Sequence, residues 1–590
     1  MPKIRAMLGW RWWFLMVWLS CQAAGGIVWQ PVMDYPISFP KGHGEQRASI
    51  NPFENFTHLG TDFGMMGPGE SRIESKGGPV KVKAGAEWTG FWHSLAGLAL
   101  DERQMDLTDV TGLLGPPATR CPVRAVTLNI RGTGEVRLEL SDLERRPVWE
   151  RKIPLNPGLQ PRLRYELQPA ELGRVKFINL IVEPGAEVEV TSLGFEVERP
   201  DIPPEEWMFR VSLGKLRRCH DAGSGLTRDR AHAPAGVFDS VASTGMHALA
   251  SAAAAAEGLL DREKVSDEIR HTTAVVLSLP RAAGFLPHFT VRREDGSPWI
   301  HPGTEYSTVD TAIALISLRL AAAILNLVDV SDALDAGING LDFDGVTDAE
   351  GWVSHGLAED GKTALIGRWR DWGGETALVL ALEAMIENRM PQGRMEATGN
   401  VFRGVEFIME IQSLFFPDFD RKDPDLVVGS VWPKQRQELL QRQISYMKEQ
   451  WPDAPATNAG IFGLSAGEAG MPGTGYTANG PEVPGIRWLH PHAMVMGLGL
   501  SGGNSFGPGV ERLERAGLLF PQGLPENIEV SLLLHNPMQG SLNAAFETIA
   551  SYHGWRRGKG GPDLIDQACM TDALMRKGAE RFFKPTSGGQ

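Results

Sequence analysis

Thr304-Glu-Tyr-Ser-Thr-Val-Asp-Thr-Ala312 is the stretch on which the fold turns. It leads straight into an apolar run, so it reads as a loop handing over to a helix across 308–327. Ser307 or Thr308 can cap that helix. Glu305 then stands just before it and Asp310 in its first turn, both near the positive end of the helix dipole. Gly284-Phe-Leu-Pro-His-Phe289 supplies the loop upstream. Three further segments share this layout. Gly225-Leu-Thr-Arg-Asp-Arg230 precedes a helix entered through Phe238-Asp-Ser-Val-Ala-Ser-Thr-Gly-Met246. Trp369-Arg-Asp-Trp-Gly-Gly-Glu-Thr-Ala377 puts Glu375 at a helix start behind two tryptophans. Phe462-Gly-Leu-Ser-Ala-Gly-Glu468 is followed by Gly475-Tyr-Thr-Ala-Asn-Gly480 and His490-Pro-His492.

Outward from these loops the text stays helical. Further runs are 241–260, a helix started by Asp261 or Ser266, then 375–387, 435–448, 491–500, 542–553 and 563–577. No period of 30–50 residues recurs, which disfavours a solenoid. A closed (α/α)6 toroid over 205–585, its site built from loops at one end, is the expected architecture. Upstream the periodicity changes. Val123–Ile130, Glu135–Leu140, Phe177–Val182 and Val188–Leu193 alternate apolar and polar residues, as in an antiparallel β-sandwich. That module, 26–200, is read as glycan-binding by fold analogy or as a structural cap. Glu198-Arg-Pro-Asp-Ile-Pro-Pro-Glu205 is Pro-rich and charged, the composition of a linker.

The chain has 590 residues, and single cores stop growing near ~250–300, so more than one domain is expected. Net charge is −14 with no basic run. That excludes nucleic acid and anionic membrane surfaces as partners, since both require clustered Lys and Arg. There are 17 Trp against 6 Tyr, many in Gly-rich polar loops, where flat faces suit sugar rings as well as cores. At the start, Lys3, Arg5 and Arg11 flank the apolar run Trp12–Leu19, and small residues follow. That is the layout of a secretory signal over 1–24, so the protein is expected to be exported, periplasmic or extracellular. The run falls short of the ~20 residues of a permanent span, and no other segment reads as a membrane span. Lipid on Cys21 is the lesser alternative, because Trp18 stands where that signal usually has Leu. Cys121, Cys219 and Cys569 form neither a disulfide framework nor a metal cluster. They leave one disulfide or three buried thiols.

Taken in order over about 215 to 500, the loop motifs resemble the glycoamylase-like helical domain of bacterial endo-β-1,2-glucanases and cyclic β-1,2-glucan synthases. The family text runs G-L-x-x-D-R, an S-x-x-G-x-x-x-A helix, F-x-x-H-F, E-x-S-x-x-D-T-A, Y-N-E, and G-x-[ST]-A-x-D…G-Y. The resemblance implies an (α/α)6 toroid, glucan cleavage, and a cleft lined by Glu305, Asp310, Glu375 and Asp229. Trp369, Trp372, His288, Tyr306, Glu468, Tyr476 and His490 are the candidates for holding the sugar. The sequence departs from the family in three places. Trp372-Gly-Gly replaces aromatic-Asn before Glu375, and Glu468 replaces Asp. A later acidic G-F-x-D-A-F-N segment has no clear counterpart in Gly517-Leu-Leu-Phe-Pro-Gln-Gly-Leu-Pro-Glu-Asn527, where Glu526 is the acid available.

Breaking a glycosidic bond needs one protonated carboxyl for the leaving oxygen and one carboxylate to activate water or attack. A glutamate packed near tryptophans has a raised pKa, as an acid needs. Glu375 is therefore the acid candidate. Glu305 is the alternative acid or a positioning group, and Asp310 and Asp229 are supports. Each also has a plain structural reading: Asp310 and Glu375 as helix-dipole partners, Asp229 as a salt-bridge partner of Arg228 and Arg230, His288 as a packed core histidine. His490 and His492 have no third ligand at a recognisable spacing, so no metal and no cofactor are expected. The expected partner is an oligo- or polysaccharide. Two other functions fit a helical toroid. One is a polysaccharide lyase drawing on Tyr306, His288 and Arg370. The other is a non-catalytic carbohydrate-binding protein on a lapsed hydrolase scaffold.

Overall fold

The computed structural model describes the chain from Ile27 to Phe583 with gaps, the longer being 35–56, 95–122, 230–237, 396–403, 418–431 and 469–475. The 1–24 leader with Cys21, together with Cys121 and Trp372, lies outside the described residues.

Between residues 27 and 198 the strands form one large antiparallel sheet. Its axis is Val123–Ser141, which reads in sequence as two strands and runs in the structure as one of 19 residues. The join falls at Gly132 and Gly134, both at positive φ (152° and 94°). A Cβ at Gly132 would stand 2.1 Å from the Glu187 carbonyl oxygen, so only glycine lets the neighbouring strand approach there. Up to Thr133 the long strand pairs with Glu187–Glu198 and Leu163–Glu166; from Gly134 it pairs with Pro147–Leu155 and Phe177–Val182. Every residue of Phe177–Val182 is buried, because strands flank it on both sides. Its one polar residue, Asn179, donates from Nδ2 to Glu139 Oε1 at 2.8 Å and to Ser141 Oγ at 2.9 Å.

Helices follow. The first, Pro204–Cys219, begins at the end of the stretch read as a linker. Pro at the first helical position and Glu205 and Glu206 in the first turn give the stretch its spacer-like composition. They are also good helix-start chemistry. Trp207 and Val211 of this helix pack in the core of the sheet, while Met208, Phe209, Leu213 and Leu216 pack in the helical core. A buried Arg199–Glu514 pair, 3.2 Å apart, lies at the same junction.

Val241–Ala256 packs on Thr308–Leu325, where Gly245 permits the close crossing: a Cβ there would be 2.6 Å from Ala314 Cα. Thr308–Leu325 packs in turn on Gly374–Met385, and that helix on Glu406–Glu410. Glu406–Glu410 meets Pro491–Leu500, which packs on Ser541–Gly558, and Ser541–Gly558 returns to Val241–Ala256. Pro204–Cys219, Arg262–Ser278, Val328–Asn339, Trp432–Gln450 and Ala573–Phe583 each lie against one or two members of this set. The run read as one helix over 563–577 is two, Leu564–Thr571 and Ala573–Phe583. Asp572 breaks it by turning extended and capping Leu574 N and Met575 N with its side chain, each at 3.0 Å.

Thr308–Leu325 corrects one sequence reading. It is long and apolar enough to cross a membrane, yet nearly all of it is buried within the helical core. Its apolarity is what a central helix surrounded by other helices requires. Cys219 and Cys569 are both buried.

Candidate active site

The site sits where several helix starts converge. Ser307, not Thr308, caps Thr308–Leu325: its Oγ accepts from Asp310 N at 3.2 Å and donates back to the Asp310 carboxylate. This reciprocal pair pins a buried aspartate in the first turn. Thr308 Oγ1, freed from capping, accepts from Trp369 Nε1 at 2.8 Å. Trp369 also lies against the His355 ring, centroids 4.0 Å apart. The indole that reads as a sugar platform is thus partly committed to holding two loops together. Tyr306 pairs with Leu357 through the backbone and is partly exposed.

Glu375 enters the site through glycine. Gly373 and Gly374 both adopt positive φ (86° and 59°), and a Cβ on Gly374 would fall 1.9 Å from the Ile408 carbonyl oxygen. The Gly374 N–H donates to Gln412 Oε1 at 2.9 Å. The Gly-Gly departure from the family text therefore has a local reason: this helix begins pressed against the 406–414 segment. Burial drives the Glu375 carboxyl pKa up to about 8, the charges of Asp310 and Asp371 push the same way, and His288 opposes them.

His288 closes the cluster. Its Nδ1 lies 2.9 Å from Glu305 Oε1 and its Nε2 3.7 Å from Asp310 Oδ1, and its ring stacks on Phe289 with centroids 3.7 Å apart. Burial alone would lower the His288 pKa, but Asp310, Glu305 and Asp229 outweigh it and raise it to about 9. Correspondingly, the hydrogen bond from His288 holds Glu305 below the ordinary carboxyl range, against the effect of its burial.

Asp229 is fixed by its backbone, its N–H on Phe238 O at 3.0 Å and its carbonyl accepting from Ser541 N at 2.8 Å. Two residues beyond Ser541, Asn543 donates to buried Glu526 at 2.6 Å and to the Ala466 carbonyl at 3.3 Å. Glu526, the acid in the unmatched late segment, is thereby brought beneath the strand that carries Glu468. Glu468 and Tyr476 pair across the Ala466–Glu468 and Tyr476–Ala478 strands. His490 is fully buried, its Nε2 2.9 Å from Asn479 Nδ2, and burial lowers its pKa to about 4. Its ring lies against Gly467.

Sequence reasoning passed over Asp371, His355 and Gln412 as functional groups. Asp371 was visible between the two tryptophans; the others show themselves only when loops distant in sequence meet.

No family model matches the sequence, and no curated protein matches it either. Solved structures do match. A β-1,2-glucanase from Parabacteroides distasonis aligns over 94% of this chain and 100% of its own, at 10% identity and a TM-score of 0.55. An endo-β-1,2-glucanase from Chitinophaga pinensis, solved with sophorotriose and glucose, aligns over 65% of this chain and 98% of its own, at 12% identity and a TM-score of 0.51. The fold is that of the β-1,2-glucanases. The first alignment carries this glucanase fold through sheet and helices alike, and it agrees with the resemblance read from the loop motifs.

Proposed function

We propose that this protein is an exported glycoside hydrolase that cleaves a β-glucan, with β-1,2-linkages first among its substrates. In this reading the helices form a closed (α/α)6 toroid, supported by the circuit of packing that leaves Val241–Ala256 and returns to it. The observation that carries the function is the splitting of two carboxyl groups in one cluster. Glu375 keeps its proton to about 8, while Glu305 is held ionised by His288. Pairs driven apart in this way supply the acid and the carboxylate of glycoside cleavage. Glu375 protonates the leaving oxygen, Glu305 serves as its ionised partner, and Asp310 and Asp229 tune the field. No cofactor is required, because two carboxyl groups suffice for hydrolysis. The fold shared with endo-β-1,2-glucanases supports the choice of linkage.

Product analysis on linear β-1,2-glucan, beside β-1,3-, β-1,4- and β-1,6-glucans, tests the reading. Sugar release from the β-1,2-linked polymer that drops by about 10²–10⁴-fold in Glu375→Gln is the expected result. Release of unsaturated, ultraviolet-absorbing products from uronic-acid polymers would replace it with a lyase. Glucan binding without turnover by the wild type would reduce it to a binding protein.

A further inference from the structure

Among the described residues, one side chain stands between the carboxylates of Glu305 and Asp310 and comes from a segment upstream of both. His288 lies on the Gly284–Phe289 loop, its Nδ1 2.9 Å from Glu305 Oε1 and its Nε2 3.7 Å from Asp310 Oδ1. The loop is tied down on both sides. His288 N donates to the Glu305 carbonyl at 3.0 Å, Ser307 N donates to Leu286 O at 2.9 Å, and Phe289 stacks on the ring. A neutral imidazole has one N–H and could serve one carboxylate only; facing two, it is arranged to carry two protons.

We propose that His288 is a positioning residue: set between Glu305 and Asp310, it bridges the two carboxylates as an imidazolium and fixes Glu305 next to the acid Glu375. The proposal rests on the hydrolase reading for its catalytic consequence, but not for the bridge itself. The charged groups that act on His288 are Glu305 on its own side of the helix start, Asp310 within the first turn of that helix, and Asp229 from the 226–229 loop. Glu375, from the Gly374–Met385 helix, feels its charge in turn.

The arrangement has a direct consequence for the proton inventory. With the imidazolium present, two negative charges sit beside Glu375 together with one positive charge. Asp310 and Asp371 help Glu375 keep its proton, and the positive charge holds Glu305 below its ordinary range. Removing the positive charge moves Glu375 and Glu305 upward, so the pH profile shifts to higher pH. A histidine that merely packed against Phe289 would leave the profile in place.

The test has two arms. In the first, the full chain labelled with ¹⁵N-histidine is titrated by NMR from pH 6 to 10, with the His288 resonance identified by its loss in His288→Gln. The expected result is a ring carrying both protons at pH 7 and releasing one near pH 9. A single-proton ring at pH 7 overturns the proposal whatever the enzyme does. In the second, His288→Gln lowers kcat by about 10–100-fold with KM within about threefold, and moves the acidic limb of the rate profile up by about one pH unit. His288→Arg, which keeps the charge, leaves that limb where it is. An unmoved limb in His288→Gln overturns the proposal. If His288→Gln does not fold, Glu305→Gln takes its place: it removes one carboxylate, and the histidine titration near pH 9 falls, whereas an unchanged titration overturns the bridge. A doubly protonated His288 in a protein that cleaves no glucan would sink the hydrolase reading and leave the bridge standing. A neutral His288 in an active enzyme would do the reverse.

Discussion

The sheet and the helical part of this protein handle charge in opposite ways. In the sheet, the ion pairs among the described residues each keep at least one partner partly exposed: Lys83 and Glu187 meet at 2.9 Å with roughly two-thirds of each side chain exposed (65% and 63%). The core beneath is aliphatic and aromatic, from Val80 and Phe91 to Phe195. In the helical part, charge is drawn inside. Lys215 and Glu547 face each other at 3.4 Å with side chains 1% and 0% exposed. Glu410 and Arg436 form another buried pair, and Glu383 accepts from the Gln392 and Gly393 amides. A sheet whose outer face is wet needs charge only for solubility. Helices packed against one another draw these polar groups out of water, where each acts at low dielectric and shifts its neighbours.

This contrast can be broken at several points. The largest effect belongs to Lys215→Met. It leaves Glu547 buried with Ser212 as its remaining hydrogen-bond partner and should cost about 3–5 kcal/mol in denaturant unfolding. Next is the pH dependence of turnover. Glu375 must hold its proton to act, so activity should fall by about tenfold per pH unit above roughly pH 8, while the ionised Glu305 keeps it available well into the acid range. A pH–rate profile with a flat alkaline side would contradict this. Smaller again is a stability gain. The folded state keeps the Glu375 proton up to about 8, whereas the unfolded chain loses it near 4.5. Between those values the folded state binds more protons, and stability falls as pH rises. Glu375→Gln removes that penalty and should raise Tm by about 2–4 °C at pH 7 while it abolishes turnover. The smallest effect is on the sheet side, where Lys83→Ala should change unfolding free energy by no more than about 0.5 kcal/mol. A loss comparable to that of Lys215→Met would erase the distinction between the two regions.

Much of this was legible from local chemistry. Ser307 as a cap, Asp261 as the cap of Arg262–Ser278 and the strand Phe177–Val182 all follow from nearest-neighbour rules, and the structure has them. Glu375 at a helix start was legible for the same reason. What stayed hidden depends on long-range meetings. The two faces of His288, the burial of His490 and the use of Gln412 to cap Gly374 arise where loops far apart in sequence converge. Pro204–Cys219 was hidden for a different reason: proline and acidic residues serve spacers and helix starts equally well, and only the apolar residues that follow decide between them.

That helix carries a consequence for the way the molecule comes apart. With Trp207 and Val211 in one core and Phe209 and Leu213 in the other, it cannot be released from either side without stripping apolar surface from the other. The sheet and the helices are therefore joined as two gears are by a common shaft: heat or denaturant that loosens one is felt by the other. A cut made anywhere between residues 200 and 219 would yield two halves, each with a raw, sticky face where the shaft had been.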